Sequence, residues 1–415
     1  MKTKCLLAFL LVSVLPSVRG AGLPPGYHAK VAVSAPTRLD WTFALSNRSL
    51  AEPPADWLGD YDSTKQHYEL YVPRREAKKL LPVILFISPS GEQLGWKRFE
   101  TACKQQGILF AGPFDAGNDC PTKKRARIVL DVLDDLRRNY PLDADRTYVA
   151  GFSGGGRVAC ALAFALPECF GGAMPICAGH DLRAESWLRR RVVERLRVAS
   201  LTGEKDFNRA EVERLRVPYL KEVGVTARVW MQRGMGHDIP PPTVLLEAFR
   251  WLDEGAARRR EQAKRYPASR LSGEAKPDRR EQAQALLAEG KKRLEKAETL
   301  YSGLMQLKGC LERWPDLESA KEARKIHTEY DSRDDKPWEK EDIAEQRRFL
   351  VAQARALDAY ASGELPPVYV KKRPDMARQA IQLWRKVLAD APESEAGREA
   401  KKRIPALEKI VAPEK

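Results

Sequence analysis

A serine between glycines, Ser153 in Gly151-Phe152-Ser153-Gly154-Gly155, is the clearest candidate for chemistry in the chain. The apolar run TYVAGFS (147–153) predicts a strand that ends at this serine, and GGRVACALAFAL (155–166) predicts a helix that follows it. A tight strand-to-helix turn presents the hydroxyl at a helix N-terminus, where backbone N–H groups stabilise the oxyanion of acyl transfer. The pattern predicts a nucleophile elbow, and the alternative is a glycine-rich turn with an incidental serine.

A serine hydroxyl needs a base at neutral pH, and the chain has five histidines. His237 is the first candidate because it follows the predicted strand TARVWMQ (226–232). Site residues of α/β sheets collect in the loops at the carboxyl ends of strands. His180, which follows GGAMPICAG (171–179), is the reserve candidate. For either histidine the alternative is an ordinary surface position.

An acid should orient the imidazole, and Asp206 lies in the loop that follows the predicted strand VASLTG (198–203). From there its carboxylate can accept a hydrogen bond from Nδ1 and stabilise the imidazolium. Glu204 is an alternative acid, and a purely structural alternative is that Asp206 caps the next helix. The sequence therefore predicts Ser153, Asp206 and His237 as nucleophile, acid and base.

The elements that must position these residues alternate between short apolar runs and amphipathic segments up to residue 255. Near-continuous apolar strands between helices predict an α/β fold with a mostly parallel sheet covered on both faces. The predicted strands are 68–72, 82–88, 107–114, 147–153, 171–179, 198–203 and 226–232, and the predicted helices are 125–140, 155–166, 209–224 and 243–255. The Pro-rich segment 21–66 is predicted to add an edge strand near Trp41–Leu45.

Residues 60–255 resemble the α/β-hydrolase family, in which the triad has the same chain order of serine, acid and histidine. The resemblance is carried by PVILFIS (82–88), DLRRNYPLDADRTYVAGFSGGG (135–156) and GHDIP (236–240). The chain looks most like secreted esterases related to polyhydroxybutyrate depolymerases and to feruloyl or acetyl-xylan esterases. The resemblance implies hydrolysis of a carboxylic ester through an acyl-enzyme, without a metal or an organic cofactor.

The loop after the first long strand departs from this family's pattern. Those esterases usually carry His-Gly there, where the loop supplies the second oxyanion N–H, whereas this chain reads Ser88-Pro89-Ser90-Gly91. Proline cannot donate a hydrogen bond. The expected oxyanion donors are therefore Gly154 and the N–H of Ser90 or Gly91.

The sequence is also compatible with two other functions. One is a serine peptidase of the prolyl-oligopeptidase type, although the large propeller domain of those enzymes has no counterpart in the sequence. The other is a catalytically inert binding protein with a hydrolase fold. As an ester hydrolase, the chain is expected to act on an acylated polysaccharide or a polyester.

The chain divides into four predicted segments. Residues 1–20 read as a secretory signal peptide, for which the alternative is an uncleaved anchor, and secretion or periplasmic export is expected. Residues 21–66 form an N-terminal extension and residues 67–255 the hydrolase domain. Residues 256–415 have helical composition, with 36 Lys or Arg and 28 Asp or Glu.

The helical segment contains an internal repeat. Residues 304–325 align with residues 381–402 when Pro315 is placed on Pro392. A helix, a proline and a second helix resemble half-units of tetratricopeptide-like repeats, and the alternative is an ordinary charged helical bundle. These helices either bind a protein or an anionic polymer, or pack against the hydrolase core as structural elements.

Composition excludes several classes of protein. The 415 residues are 43% hydrophobic and 31% charged, with a net charge of +15, which excludes wholesale disorder and a multi-span membrane protein. Basic and acidic residues are interleaved, so no nucleic-acid partner is expected. The cysteines have no zinc-type spacing. Cys103 and Cys120 could pair, whereas Cys160 and Cys177 are expected to be buried thiols.

Overall fold

The structure, a computed structural model, describes residues 22–74, 79–266 and 278–412. The predicted signal peptide at residues 1–20 lies outside these ranges. Within them, no helix combines the length and the apolar character needed to cross a membrane.

Among the described residues, eight strands form one sheet in the order β1-β2-β4-β3-β5-β6-β7-β8. The pairs β1–β2 and β2–β4 are antiparallel and all other neighbours are parallel. Each of the seven predicted apolar runs contains a strand, so the predicted α/β fold is confirmed. This strand order, with a serine turn after β5, is that of the α/β-hydrolase fold. The strands are β1 Gly26–Ala32, β2 His67–Val72, β3 Leu81–Ile87, β4 Leu109–Pro113, β5 Leu142–Phe152, β6 Gly172–Ile176, β7 Arg197–Gly203 and β8 Thr226–Gln232.

Helices cover both faces of the sheet because the central strands are apolar on both sides; all seven residues of β3 are buried. Helices α3, α4, α5 and α6 pack on one face, and α2 and α7 pack on the other. A π-helical turn, Glu211–Arg216, leads into α6. The helices of this part are α1 Trp41–Leu45, α2 Trp96–Gln106, α3 Thr122–Asn139, α4 Gly154–Ala165, α5 Ser186–Arg195, α6 Val217–Val223, α7 Pro242–Asp253 and α8 Ala256–Arg265.

The edge strand predicted near Trp41–Leu45 is wrong, because these residues form helix α1. The Asp40 carboxylate caps the helix by accepting a hydrogen bond from the Phe43 N–H at 3.3 Å. A mostly apolar segment of five residues does not distinguish a strand from a short buried helix. The edge strand that the N-terminal extension does supply is β1, which the sequence did not reveal.

The disulfide suggested between Cys103 and Cys120 does not form. All six cysteines in the described part of the chain are free thiols. Cys103 is buried on α2, whereas Cys120 is half-buried in the loop before α3. Cys160 and Cys177 are buried thiols, as predicted.

Beyond residue 278 the described chain is helical, as predicted. The two aligned segments adopt the same arrangement, in which a proline turn joins α10 to α11 and another joins α14 to α15. The helices are α9 Arg279–Leu294, α10 Leu300–Arg313, α11 Glu318–Asp331, α12 Glu339–Ser362, α13 Pro367–Val370, α14 Arg373–Asp390 and α15 Glu395–Val411.

These helices pack against the hydrolase core, which corresponds to the structural alternative left open by the sequence. Tyr301 and Leu304 of α10 belong to the same buried cluster as Trp187 of α5. The Trp187 indole N–H donates to the Glu312 carboxylate at 2.8 Å. A side chain at Gly309 would lie 2.6 Å from the Trp187 ring, so the two helices touch closely.

A buried ion-pair cluster joins α10 to the N-terminal half. The guanidinium of Arg313, only 3% exposed, donates to Asp40 at 3.0 Å and to Glu168 at 2.8 Å. It also lies over the Phe43 ring, 4.2 Å from the centroid. Burial alone would raise the pKa of Glu168, but the positive charges of Arg313 and Arg191 hold that pKa below its usual range. One arginine thus pairs with two carboxylates from distant parts of the chain.

We expect Arg313→Met to lower the free energy of unfolding by about 3–5 kcal/mol, because it leaves two buried carboxylates without their counter-charge. Urea unfolding of the full chain measures this loss. The matched control is Arg385→Met, since Arg385 pairs with Glu408 on an exposed surface where both side chains are at least half exposed. Equal, small losses for both variants would contradict the structural role of Arg313.

Candidate active site

Ser153 occupies the turn between β5 and α4 in a strained backbone conformation. Its φ is 52° and its ψ is −122°, values that cost a non-glycine residue roughly 1–3 kcal/mol. The Ser153 N–H donates to the Ile176 carbonyl at 2.8 Å, which anchors the turn to the end of β6. The strained turn places the hydroxyl above the carboxyl edge of the sheet.

Two glycines of the turn are required by the close approach of backbone to backbone. A Cβ at Gly155 would lie 2.0 Å from the Ile87 carbonyl oxygen of β3. A Cβ at Gly151 would lie 2.4 Å from the backbone of Gly155. Helix α4 can start directly over β3 and β5 only because both side chains are absent.

The structure brings the His237 imidazole between Ser153 and Asp206. Nε2 lies 2.9 Å from Ser153 Oγ, and Nδ1 lies 2.7 Å from Asp206 Oδ1. Since the carboxylate can only accept, Nδ1 carries the proton and Nε2 is free to accept the serine hydroxyl. The three residues predicted from the sequence therefore form one continuous hydrogen-bond chain.

Asp206 is almost fully buried and held in its charged form. Oδ2 accepts a hydrogen bond from the Thr202 hydroxyl at 2.7 Å, and Oδ1 accepts one from the Asn208 N–H at 3.0 Å. Burial raises the pKa of this carboxyl, but the hydrogen bonds from His237, Asn208 and Thr202 outweigh it and hold the pKa below its usual range. The acid stays ionised at neutral pH.

Glu204, the alternative acid, and His180, the reserve base, lie outside the hydrogen-bond chain of Ser153. Glu204 Oε2 accepts the Gly234 N–H at 2.8 Å, which shapes the loop after β8. His180 is exposed, and its Nδ1 lies 2.9 Å from the Asp181 carbonyl. Neither side chain joins the hydrogen-bond chain of Ser153.

Two aromatic rings that the sequence analysis did not single out hold the imidazole. The Phe207 ring stacks on His237 with 4.1 Å between ring centroids, and Phe152 lies 4.9 Å away. Phe207 is 51% exposed, a high value for a phenylalanine. Each ring adjoins a predicted site residue in sequence, which is the signal that could have identified it.

Cys177 is a further neighbour of the triad that the sequence placed only in the core. Its φ is 56°, and its thiol, Asp206 and His237 have ligand atoms within 4.8 Å of one another. These three groups match ligand types that Zn²⁺ accepts. Burial, however, raises the pKa of the thiol strongly, which disfavours the thiolate that a metal needs. The arrangement of Cys177, Asp206 and His237 is therefore better explained as hydrogen bonding around the Asp206 carboxylate than as a metal site.

The predicted oxyanion donors differ in their surroundings. Gly154 is the first residue of α4, so its N–H has no partner within the helix. The Ser90 N–H donates to Ser88 Oγ at 3.2 Å, and the two serine hydroxyls lie 2.8 Å apart. The loop after β3 therefore uses the Ser90 N–H to close its own turn.

A cavity of about 740 Å³ lies between the hydrolase part and helices α12 to α14. Arg157, which lies one helical turn after Ser153, is part of the cavity wall. The Arg157 guanidinium is paired with the Glu211 carboxylate at 2.5 Å. Tyr360, Tyr369 and Lys372 form the opposite wall of the cavity. The C-terminal helices thus form one wall of a cavity whose other wall includes Arg157 and Glu211.

No protein-family model matches the chain, and no curated protein sequence matches it either. Solved structures similar to part of it include an S-formylglutathione hydrolase from Staphylococcus aureus, with 16% identity over 47% of this chain and 94% of that chain and a TM-score of 0.37. Fluorophosphonate-binding serine hydrolase F of Staphylococcus aureus has 16% identity over 56% and 99%, with a TM-score of 0.39. A ferulic acid esterase has 15% identity over 48% and 93%, with a TM-score of 0.37.

We expect Gly155→Ala to lower the free energy of unfolding by about 1–3 kcal/mol and to displace Ser153, because a methyl group collides with the Ile87 carbonyl. Thermal unfolding and the rate of serine labelling by a fluorophosphonate measure the two effects. Gly236→Ala is the control beside His237, since no atom lies within 4 Å of its Cβ position. Similar behaviour of the two variants would contradict the requirement for glycine at position 155.

Proposed function

We propose that this chain is a serine hydrolase that cleaves carboxylic esters, with Ser153 as nucleophile, His237 as base and Asp206 as acid. The proposal is carried by the unbroken hydrogen-bond chain from Ser153 Oγ through both imidazole nitrogens to the Asp206 carboxylate. An inert binding protein has no need for this arrangement or for the backbone strain at the serine.

In the first half-reaction Ser153 Oγ forms a bond to the ester carbonyl carbon while Nε2 of His237 accepts its proton. The carbonyl electron pair moves onto oxygen, where the Gly154 N–H stabilises the charge. Asp206 stabilises the imidazolium formed in this step. His237 then returns the proton to the leaving alkoxide as the carbon–oxygen bond breaks, which leaves Ser153 acylated.

In the second half-reaction water replaces the alcohol. Nε2 of His237 accepts a proton from water as the hydroxyl bonds to the acyl carbon, and the proton passes to Ser153 Oγ as the acid departs. Every proton transfer in this scheme is made by the chain's own side chains. A metal or an organic cofactor has no step to perform in it.

We place the bulk of the substrate in the cavity beside Arg157. Its walls combine tyrosine rings with the paired charges of Arg157 and Glu211, a surface suited to a polar acyl or alcohol group larger than acetate. Acylated polysaccharides and polyesters have such groups. The signal-like residues 1–20 support a reaction outside the cytoplasm, and the cationic excess of residues 256–415 supports an anionic polymer as the carrier of the ester.

We expect Ser153→Ala to abolish fluorophosphonate labelling and to lower kcat for a short-chain aryl ester by about 10⁴-fold or more, since the nucleophile is lost. His237→Ala and Asp206→Asn should also lower kcat by several orders of magnitude. The measurements are gel-based labelling and steady-state hydrolysis of phenyl acetate by the chain lacking residues 1–20.

His180→Ala and Glu204→Gln are the matched controls, because neither side chain contacts the triad. Both should retain kcat within about twofold. Equal labelling of wild type and Ser153→Ala would refute the nucleophile, and a larger effect of Glu204→Gln than of Asp206→Asn would refute the acid.

We expect Tyr369→Ala to raise KM about tenfold for esters with a bulky acyl or alcohol group, because a stacking surface worth about 1.4 kcal/mol is lost. Phenyl acetate, too small to span the cavity, should keep its KM. Val368→Ala is the control, since Val368 lies on the same short helix α13 but is 70% exposed and outside the cavity. Equal KM values for all three proteins would remove the cavity from substrate binding.

A further inference from the structure

Phe207 is an exposed aromatic side chain in direct contact with the base. Its ring stacks on the His237 imidazole with 4.1 Å between the centroids and 28° between the planes, and 51% of the residue is exposed. We propose that Phe207 recognises the alcohol part of the ester and favours alcohols with an aromatic group beside the ester oxygen. This inference rests on the proposed function, because it concerns the alcohol that His237 protonates when the acyl-enzyme forms.

Hydrogen bonds fix the backbone on both sides of Phe207, so the fold sets the position of the ring. The Lys205 N–H donates to the Met235 carbonyl at 2.8 Å, which joins the loop after β7 to the loop after β8. On the other side, the Asn208 N–H donates to Asp206 Oδ1 at 3.0 Å. A ring that is held in this way can serve as one wall of a binding site.

The stacking leaves the reactive edge of the imidazole free. Both nitrogens lie at this edge, Nδ1 at 2.7 Å from Asp206 Oδ1 and Nε2 at 2.9 Å from Ser153 Oγ. Phe207 instead covers a face of the same imidazole. The Phe207 ring can therefore contact a substrate group without displacing the hydrogen bonds of the triad.

The reaction itself brings the alcohol beside this ring. Nε2 of His237 protonates the departing alkoxide, so the alcohol oxygen has to come within about 2.6–3.2 Å of Nε2. The carbons bonded to that oxygen then lie next to the imidazole, within reach of the ring that covers it. The acyl group, in contrast, is bonded to Ser153 Oγ and stays there after the alcohol has left. This places Phe207 on the alcohol side of the scissile bond.

The exposed surface of Phe207 gives a preference among alcohols. Covering apolar surface with an apolar group of the ligand is favourable in proportion to the area removed from water. Two aromatic rings with about 4.5–7 Å between their centroids gain further stabilisation beyond this area. A phenyl group on the alcohol therefore gains more from Phe207 than a methyl group does.

Three small esters test this preference. Methyl acetate has no aromatic group, benzyl acetate has a phenyl group on the alcohol side, and its isomer methyl phenylacetate has one on the acyl side. We expect Phe207→Ala to lower kcat/KM about tenfold more for benzyl acetate than for methyl acetate. For methyl phenylacetate and methyl acetate kcat/KM should fall by the same factor. Phe207→Tyr keeps the aromatic face and should retain the wild-type ratio of kcat/KM between benzyl and methyl acetate.

Loss of the ring also removes a contact that holds the imidazole, and this effect is measured separately. A looser imidazole lowers kcat/KM by the same factor for all three esters, so it cancels from the ratio between any two of them. The rate of fluorophosphonate labelling reports it directly, because the leaving group is then fluoride, which has no carbon to contact the ring. Ile343→Ala is the matched control, since Ile343 is a 41% exposed apolar residue on α12, and it should keep the wild-type ratios and labelling rate.

The outcomes separate this inference from the proposed function. If Phe207→Ala lowers kcat/KM for benzyl acetate and methyl acetate by the same factor, the ring only positions the imidazole and the inference is overturned. If the loss is largest for methyl phenylacetate, the ring contacts the acyl group and the assignment to the alcohol is wrong. If Phe207→Tyr loses the ratio as completely as Phe207→Ala, the aromatic contact is refuted. In these three cases the active wild type upholds the proposed function, which fails if wild type is neither labelled nor active with any of the esters.

Discussion

Helix α4 begins so close to β3 and β5 that backbone touches backbone, and the active site depends on this contact. A single methyl group at Gly155 would lie 2.0 Å from the Ile87 carbonyl oxygen. The contact forces the chain to reverse sharply at Ser153, whose φ of 52° follows from that reversal. The loops after β7 and β8, which carry Asp206 and His237, then need only to approach one fixed hydroxyl.

The sequence predicted the parts of the molecule that have a local signature. Apolar runs of strand length were sufficient for seven strands, because parallel strands are buried on both faces and lack polar interruptions. The triad was predictable because glycines mark the elbow around Ser153, while Asp206 and His237 each follow a buried strand. The chain has five histidines, so few residues could be predicted as the base.

The remaining features arise from contacts between distant residues. Helix α1 resembles a strand in sequence because five mostly apolar residues are too few to show a period, and its cap by Asp40 becomes visible only in three dimensions. Cys177 contacts the triad only through the fold, so its residue type gave no warning, whereas Phe207 directly follows Asp206 in the chain.

The Arg313 cluster also has a consequence for the time course of folding. Asp40 and Arg313 are 273 residues apart, and Glu168 and Arg313 are 145 residues apart. At a synthesis rate of about 5–20 residues per second, roughly 7–30 s separate the synthesis of Glu168 from that of Arg313. During that interval α10 has not yet been synthesised, so the face of α5 that carries Trp187 stays exposed to solvent. The chain therefore reaches its complete fold only after its C-terminal half has been synthesised.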